Sequence, residues 1–340
     1  MQPQRQWLVR LAGSAFLLCC VVVVLGAYVR LSAAGLGCPD WPGCYGHVTP
    51  SAAVANSTEV AAAFGGQEIE VGKAWREMIH RYAAATLGFL ILVIAALAIQ
   101  YRKHHLVPLG FALGLLAMVV AQGALGMLTV TWQLKPLIVT AHLLFGLATL
   151  SLLAWLVLLL RDARAPTRVA AGEAVPTAVR SAALVALIAV TIQIALGGWT
   201  SSNYAATACP DFPRCQNAWF PTAQFGDAFV LWRGLGINYE GGVLDHPARV
   251  AIHFTHRVGA LVAMFALLYA GVISWRRVNR LRGAVVAVWI SLALQLLIGA
   301  SMVLRGFPLW LATVHNAGAA LLLVSVVMFN YRLRTPAAQA

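Results

Sequence analysis

The chain has 340 residues, 61% of them hydrophobic and only 10% charged, and its mean hydropathy is +0.79. Soluble globular chains carry roughly 25% charged and 45–50% apolar residues, so this composition excludes a water-soluble enzyme and a disordered chain and points to lipid as the main solvent. The net charge of +13 would fit nucleic acid in a soluble protein, but here the basic residues sit in short segments between apolar runs, where topology explains them, and no nucleic-acid partner is expected.

Apolar runs of spanning length fall at 10–30, 77–100, 106–130, 136–160, 180–202, 249–274, 284–305 and 309–331. The first run is too long for a signal-peptide core and meets no small-residue cleavage site before Arg30, so it reads as a retained helix. Arg5, Arg10, Arg102, Lys103, Arg161, Arg164, Arg168, Arg180, Arg276, Arg277, Arg280, Arg282, Arg332 and Arg334 fall at the termini and in three short loops. By the positive-inside rule these segments are cytoplasmic. The long loops 31–76 and 203–248 then lie outside, and an even number of spans puts both termini in the cytoplasm. Of the 11 acidic residues all but Asp162 and Glu173 fall on the outer side or at its boundary.

The chain repeats itself. Leu25-Gly26-Ala27-Tyr28 and Cys38-Pro39-Asp40-Trp41-Pro42-Gly43-Cys44 return as Leu196-Gly197-Gly198-Trp199 and Cys209-Pro210-Asp211-Phe212-Pro213-Arg214-Cys215. Glu77-Met78-Ile79-His80-Arg81 matches His253-Phe254-Thr255-His256-Arg257. Gln122 to Gly126 matches Gln295 to Gly299, and Thr140-Ala141-His142 matches Thr313-Val314-His315; the offsets run from 171 to 176 residues. The expected architecture is all-α: eight transmembrane helices forming two tandem, pseudo-symmetric four-helix bundles of the same orientation. The first takes residues 1–160, a cytoplasmic linker 161–180, and the second 181–340.

Four of the nine histidines, His47, His104, His105 and His246, fall in loops. His80, His142, His253, His256 and His315 fall on the even-numbered spans, and all but His253 enter at similar depth near the outer boundary. Ionisable residues in spans are costly and usually mark function. Two imidazoles facing each other inside a bundle suit a haem iron held from both sides. A zinc site would lack further ligands at that depth, and a proton relay would not need matched depths. Arg81 and Arg257 follow the first histidine of each pair; they either snorkel to the interface or pair with haem propionates.

The repeat breaks at Glu77, three residues before His80 and so on the same helical face. Its counterpart is His253. A carboxylate beside one site alone points to chemistry at that site and electron transfer at the other; the plain alternative is a carboxylate complementing a helix dipole. Cys19 and Cys20 read as packing residues in the first span. Cys38, Cys44, Cys209 and Cys215 form two Cys-x5-Cys pairs in an oxidising compartment. They are either loop staples or redox-active pairs, and a joint zinc site of all four is disfavoured by spacing. Trp219, Phe220, Phe225, Phe229 and Trp232 resemble an interfacial helix lying on the bilayer, with a weaker one at 52–64; Asn56-Ser57-Thr58 matches a glycosylation acceptor.

At these residues the sequence resembles the haem A synthase family over nearly its whole length. The resemblance implies conversion of haem O to haem A by oxidation of the C8 methyl of the porphyrin to a formyl group through successive hydroxylations, for terminal respiratory oxidases. It implies that His80 and His142 flank the substrate haem and that His256 and His315 ligate a haem b cofactor. Glu77 would be the catalytic carboxylate and Cys38 and Cys44 the functional pair, while the role of Cys209 and Cys215 stays open. The setting is the bacterial cytoplasmic (inner) membrane. The partners are the lipid bilayer, haem O, a haem O synthase, an electron-transfer partner still to be identified and a second copy of the chain as candidate homo-oligomer. The competing readings are a membrane cytochrome b relaying electrons from quinol to the cysteine pairs, and a haem transporter or chaperone.

Overall fold

The computed structural model describes residues 2–66, 68–104, 107–162 and 174–334. Among them the chain is all-helical: α1 (Gln2–Leu31), α2 (Pro50–Ala55), α3 (Ser57–Ala63), α4 (Val71–Gln100), α5 (Leu109–Thr131), α6 (Pro136–Asp162), α7 (Thr177–Ser202), α8 (Phe225–Ala228), α9 (His246–Arg277), α10 (Arg282–Leu304) and α11 (Leu309–Arg332). Eight of these are long and apolar enough to cross a membrane: α1, α4, α5, α6, α7, α9, α10 and α11.

The spans agree with those expected from hydropathy to within a few residues, except that α1 and α4 start earlier, at Gln2 and Val71. Both openings are too polar for a hydropathy window to include. His80 therefore lies deeper along α4 than the run boundary implied. The aromatic stretch after Cys215 is not an interfacial helix: among its residues only Phe225–Ala228 is helical. Pro221 falls within it ahead of that single turn, and Trp219 and Phe220 stand exposed in the bend before it. Residues 52–64 do form helices, α2 and α3, started by Thr49, whose hydroxyl accepts the Ala52 N–H. Arg164, Arg168 and Glu173 of the expected linker, and His105, lie outside the described residues; α7 begins at Thr177, inside that linker.

Helix α1 packs on α4 and α6, and α5 packs on α4 and α6; α7 packs on α9 and α11, and α10 packs on α9 and α11. The two sets meet where α1 and α6 touch α11 and where α6 touches α7. Association in lipid depends on close packing rather than on the hydrophobic effect. Small residues accordingly sit at the centre: Ala12, Ala15, Ala98, Ala183 and Ala186 are essentially inaccessible, and they join one core running through both sets. At the α6–α7 contact a Cβ on Gly198 would meet Leu143 Cδ2 at 2.9 Å, and Thr140 Oγ1 lies 3.4 Å from Ser202 Oγ.

Backbone features recur at corresponding positions of the sequence repeat. Left-handed residues occur at Ala33 and Tyr204, at Tyr45 and Gln216, at Gly46 and Asn217, and at Leu134 and Phe307, and the Trp41-Pro42 and Phe212-Pro213 bonds are both cis. On the side of the long loops, the segment before α9 also reaches the other half. Lys135, in the turn between α5 and α6, is 1% exposed. Its Nζ sits 3.2 Å from the centre of the Trp232 ring, faces Trp132 and donates to the Gly234 carbonyl. The Tyr239 N–H adds a bond to the Gln133 carbonyl at 3.1 Å.

Candidate functional site

Each Cys-x5-Cys segment closes as a disulfide, Cys38–Cys44 and Cys209–Cys215, with Cα atoms 4.7 Å apart in both. An aspartate braces each loop from within. Asp40 accepts the N–H groups of Tyr45 (2.6 Å) and Gly46 (2.8 Å), and Asp211 those of Gln216 (2.6 Å) and Asn217 (2.9 Å). Burial alone would raise the Asp211 carboxyl, but these backbone donors and the Arg257 charge outweigh it and hold it below the usual carboxylate range. All four sulfurs belong to buried residues, packed in the first loop against Val60, Ala74 and Met78 and in the second against Ala208 and Val250.

The arginine after each first histidine ties the loop to its helix. Arg81 Nη1 donates to the carbonyls of Asp40 (2.9 Å) and Gly43 (2.5 Å), and Arg257 Nη1 to those of Asp211 (2.9 Å) and Arg214 (2.7 Å). The halves differ in what completes this bracket. In the first, the buried Glu77 carboxylate receives Arg81 Nη2 on one oxygen and the Cys38 N–H at 2.9 Å on the other. In the second, Arg257 Nη2 donates to the Cys209 carbonyl at 2.9 Å and Nε to His253 Nε2 at 3.2 Å. Glu77 thus does more than complement a helix dipole: it is a desolvated anion shared between a guanidinium and the disulfide loop.

The four matched histidines each lie against a glycine of a neighbouring helix. A Cβ on Gly26 would meet His80 Cε1 at 2.9 Å, on Gly126 His142 Cε1 at 3.3 Å, on Gly197 His256 Cε1 at 3.1 Å, and on Gly299 His315 Cε1 at 3.0 Å. Any side chain there would push the ring out of place, which gives the recurring glycines of the repeat their physical meaning. His80 and His142 are close enough to interact electrostatically, as are His256 and His315. The Nδ1 atoms of His80, His142 and His315 are buried without a partner.

His256 and His315 line a cavity of about 900 Å³ walled by apolar side chains, among them Leu143, Leu147, Leu267 and Leu296. Its lining includes three arginines, Arg30 of α1, Arg249 and Arg257. Arg30 Nη2 donates to the Ser201 carbonyl at 2.7 Å and its guanidinium stacks on Tyr204, while the Nε atoms of Arg30 and Arg249 are buried and unpartnered. Two imidazoles, an apolar slot and a group of cations match a flat, iron-bearing macrocycle with carboxylate arms. Among the described residues no cluster of three or more His, Cys, Asp or Glu side chains is placed to hold a metal ion; His256 and His315 are the imidazoles that would hold such a macrocycle's iron.

The candidate site residues singled out from sequence, Glu77, His80, Arg81, His142, His256, Arg257, His315 and the four loop cysteines, lie on α4, α6, α9, α11 and the two disulfide loops. Sequence reasoning passed over Arg30 and Arg249 as site residues. It also passed over Gln193, although Gln122 and Gln295 were visible as repeat members; the shared spacing Gln-x3-Gly would have found it. Lys135 gave no sign of burial, since its cage comes from residue 232.

Comparison with known proteins places this geometry in context. The family model described as COX15-CtaA, cytochrome oxidase assembly protein, matches residues 9–327. A haem A synthase of Shewanella oneidensis is 41% identical over 332 residues, 97% of this chain and 97% of that protein. Haem A synthases of Rhizorhabdus wittichii and Paracoccus denitrificans are each 29% identical, over 97% and 98% of this chain and 94% and 88% of theirs.

Proposed function

The chain belongs to the COX15-CtaA family of cytochrome oxidase assembly proteins, and from that premise we propose that it acts as a haem A synthase, a membrane-bound oxidoreductase that converts haem O to haem A. The reaction takes the C8 methyl to a formyl group. Each of two successive hydroxylations replaces one C–H bond by C–OH and is a two-electron oxidation of the carbon, its electrons leaving to an external acceptor; the geminal diol then loses water to give the formyl group. The observation that carries the reading is the inequality of two otherwise matched histidine pairs: only His80 has a carboxylate, Glu77, three residues before it.

In this reading the molecule is two tandem pseudo-symmetric bundles, residues 1–160 and 181–340. His80 and His142 flank haem O in the first, with Glu77 placed to accept or deliver protons as the methyl is oxidised. Its links to Arg81 and Cys38 hold that carboxylate beside the α4 histidine and fasten the loop over the site. His256 and His315 hold a haem in the second bundle, which we assign as haem b; when bound it would supply one-electron transfer. Gly197 and Gly299 leave room for the imidazoles, and the Leu-rich wall keeps water from the slot.

The cations have separate tasks. Arg81 and Arg257 spend most of their donors on the loop carbonyls, so each braces a loop and offers its remaining charge to a propionate. Arg30 and Arg249, with unpartnered Nε atoms, are the freer cations for the carboxylates of the second site. The disulfides fix the loops over both sites. The protein is a multi-pass membrane protein; we place it in the bacterial cytoplasmic membrane with both termini in the cytoplasm.

The test is expression beside a haem O synthase in cells that make no haem A, followed by haem extraction and mass analysis. Haem A in the extract supports the reading; haem O alone, with the protein present in the membrane, rejects it. Proteolysis of intact spheroplasts tests the topology, since only the 31–70 and 203–245 segments should be cut.

A further inference from the structure

Apart from its histidines, the charged side chains that line the cavity beside His256 and His315 are all cations. Arg30, Arg249 and Arg257 reach it, and no aspartate or glutamate does. Among the described residues the ion pairs are Lys73–Glu70 and Arg81–Glu77, so no carboxylate of the chain pairs with any of these three. Buried charge without a partner is costly, and a ligand that brings negative charge with it removes that cost.

Tyr204 lines the same cavity, and its hydroxyl is buried without a partner. Its ring is held in place. The Arg30 guanidinium lies 4.2 Å over the ring centre, a cation–π contact. The Ser201 carbonyl accepts both Arg30 Nη2, at 2.7 Å, and the Tyr204 N–H, at 3.1 Å. On another side a Cβ on Gly242 would meet Tyr204 Cβ at 3.2 Å and Cδ2 at 3.3 Å. Arg249 stands seven residues before His256, two turns along the same face of α9, or about 10 Å at 1.5 Å per residue. Arg30 ends α1, Tyr204 follows α7 and Arg249 lies in the first turn of α9, so the three donors gather outward of the iron ligands, toward the long loops.

The first half has no such group. The residue matching Tyr204 is Ala33, and the one matching Arg249 is Lys73, whose ammonium pairs with Glu70 at 2.8 Å. Arg76 donates to the carbonyls of Gly72 and Ser32, and the buried Glu77 adds a negative charge beside the first histidine pair.

Resting on the reading above, in which His256 and His315 hold a haem, we propose that Tyr204 is a third carboxylate-binding residue of that site. Tyr204, Arg30 and Arg249 together make the site selective for a tetrapyrrole with free carboxylates. The phenol donates one hydrogen bond to a carboxylate oxygen and the guanidinium groups supply the charge. Arg30 also positions the phenol by stacking on it.

The experiment uses the full-length chain with His80 and His142 replaced by Ala, so that the second pair is left to ligate iron. Haem release to excess apomyoglobin is followed at the reduced α band. Tyr204→Phe removes the hydroxyl alone and keeps the ring under Arg30. A hydrogen bond to a charged group corresponds to about 10–100-fold, so release should quicken by a factor in that range while the band positions stay. In a second arm the haem-depleted chain is titrated with iron protoporphyrin IX and with its dimethyl ester. The ester should bind more weakly by about tenfold or more, and the gap should narrow in Tyr204→Phe. Equal affinity for acid and ester, or an unchanged release rate in Tyr204→Phe, overturns the proposal. The ester comparison needs no change at residue 204, so it decides even if Tyr204→Phe fails to fold. If the chain retaining His256 and His315 binds no six-coordinate haem, the underlying reading of the second pair fails, and the proposal with it.

Discussion

The Glu77 carboxylate accepts the backbone N–H of Cys38 at 2.9 Å, across 39 residues of sequence. Glutamine can keep that bond through its amide oxygen but cannot balance Arg81. A carboxylate that moves protons in the transition state typically contributes about 10²–10⁴-fold. Glu77→Gln is therefore expected to keep the fold, the disulfide and haem O binding. Haem A should fall by a factor in that range while haem O or a hydroxylated intermediate accumulates. His253→Ala should change product far less. Quantifying extracted haems checks both; near-normal haem A from Glu77→Gln would reject the catalytic role and leave Glu77 as a loop anchor.

Replacing His256 or His315 by Ala should abolish the sharp α and β bands of a reduced six-coordinate haem, without removing the protein from the membrane. Hydrogen bonds to charged groups are worth about 1.5–3 kcal/mol. Arg249→Gln should accordingly leave the bands in place but raise haem dissociation by roughly 10–100-fold, and Arg30→Gln should do the same. Haem content and dissociation rate, measured spectroscopically, decide; wild-type retention in both arginine variants would remove them from the site.

Helix ends and spans were legible because charge is so costly in lipid that the loops announce themselves. The four histidines were legible for the same reason, and the repeat supplied the pairing. What stayed hidden was contact between distant segments. Arg81 and Arg257 read as snorkelling or propionate-pairing cations, yet they donate to backbone carbonyls of a loop about 40 residues away, as in the Arg81–Asp40 bond, and carbonyls have no sequence signature. The aromatic run 219–232 had the composition of an interfacial helix, but with Pro221 inside it only the turn Phe225–Ala228 is helical.

Asp211 ties pH to the second disulfide. Its folded carboxyl is held below the usual range, because backbone donors outweigh burial. A depressed carboxylate stabilises its loop above the unfolded pKa, about 3.9, and that stability is lost as pH falls through the lower folded value. Reduction of Cys209–Cys215 by a small phosphine, which keeps its reducing power in acid, should therefore accelerate below about pH 4 in wild type. In Asp211→Asn it should be faster at neutral pH and insensitive across that window. A flat wild-type profile would show that the aspartate does not govern access to the sulfurs.

Lys135→Met keeps the apolar stem and removes the cation between Trp132 and Trp232. Desolvated cation–π contacts are worth about 2 kcal/mol or more, so the variant should melt at lower temperature. Trp232, already half exposed, should show a red-shifted and more quenchable fluorescence. Identical melting and quenching would mean that the contact is incidental.

Arg30 and Ser201 stand at corresponding places of the repeat, 171 residues apart, and the guanidinium of one donates to the carbonyl of the other. Two identical copies assembled as a dimer would carry the same residue at both places, and whatever one pocket received the other would receive as well. Two segments of unequal sequence can hold arginine at one place and serine at the other, as these do. The arginine of the first segment then furnishes the pocket of the second and has no twin to furnish its own. Joining the two segments in one chain fixes this unequal pair in a one-to-one ratio, and the second segment alone does not carry the whole lining of its cavity.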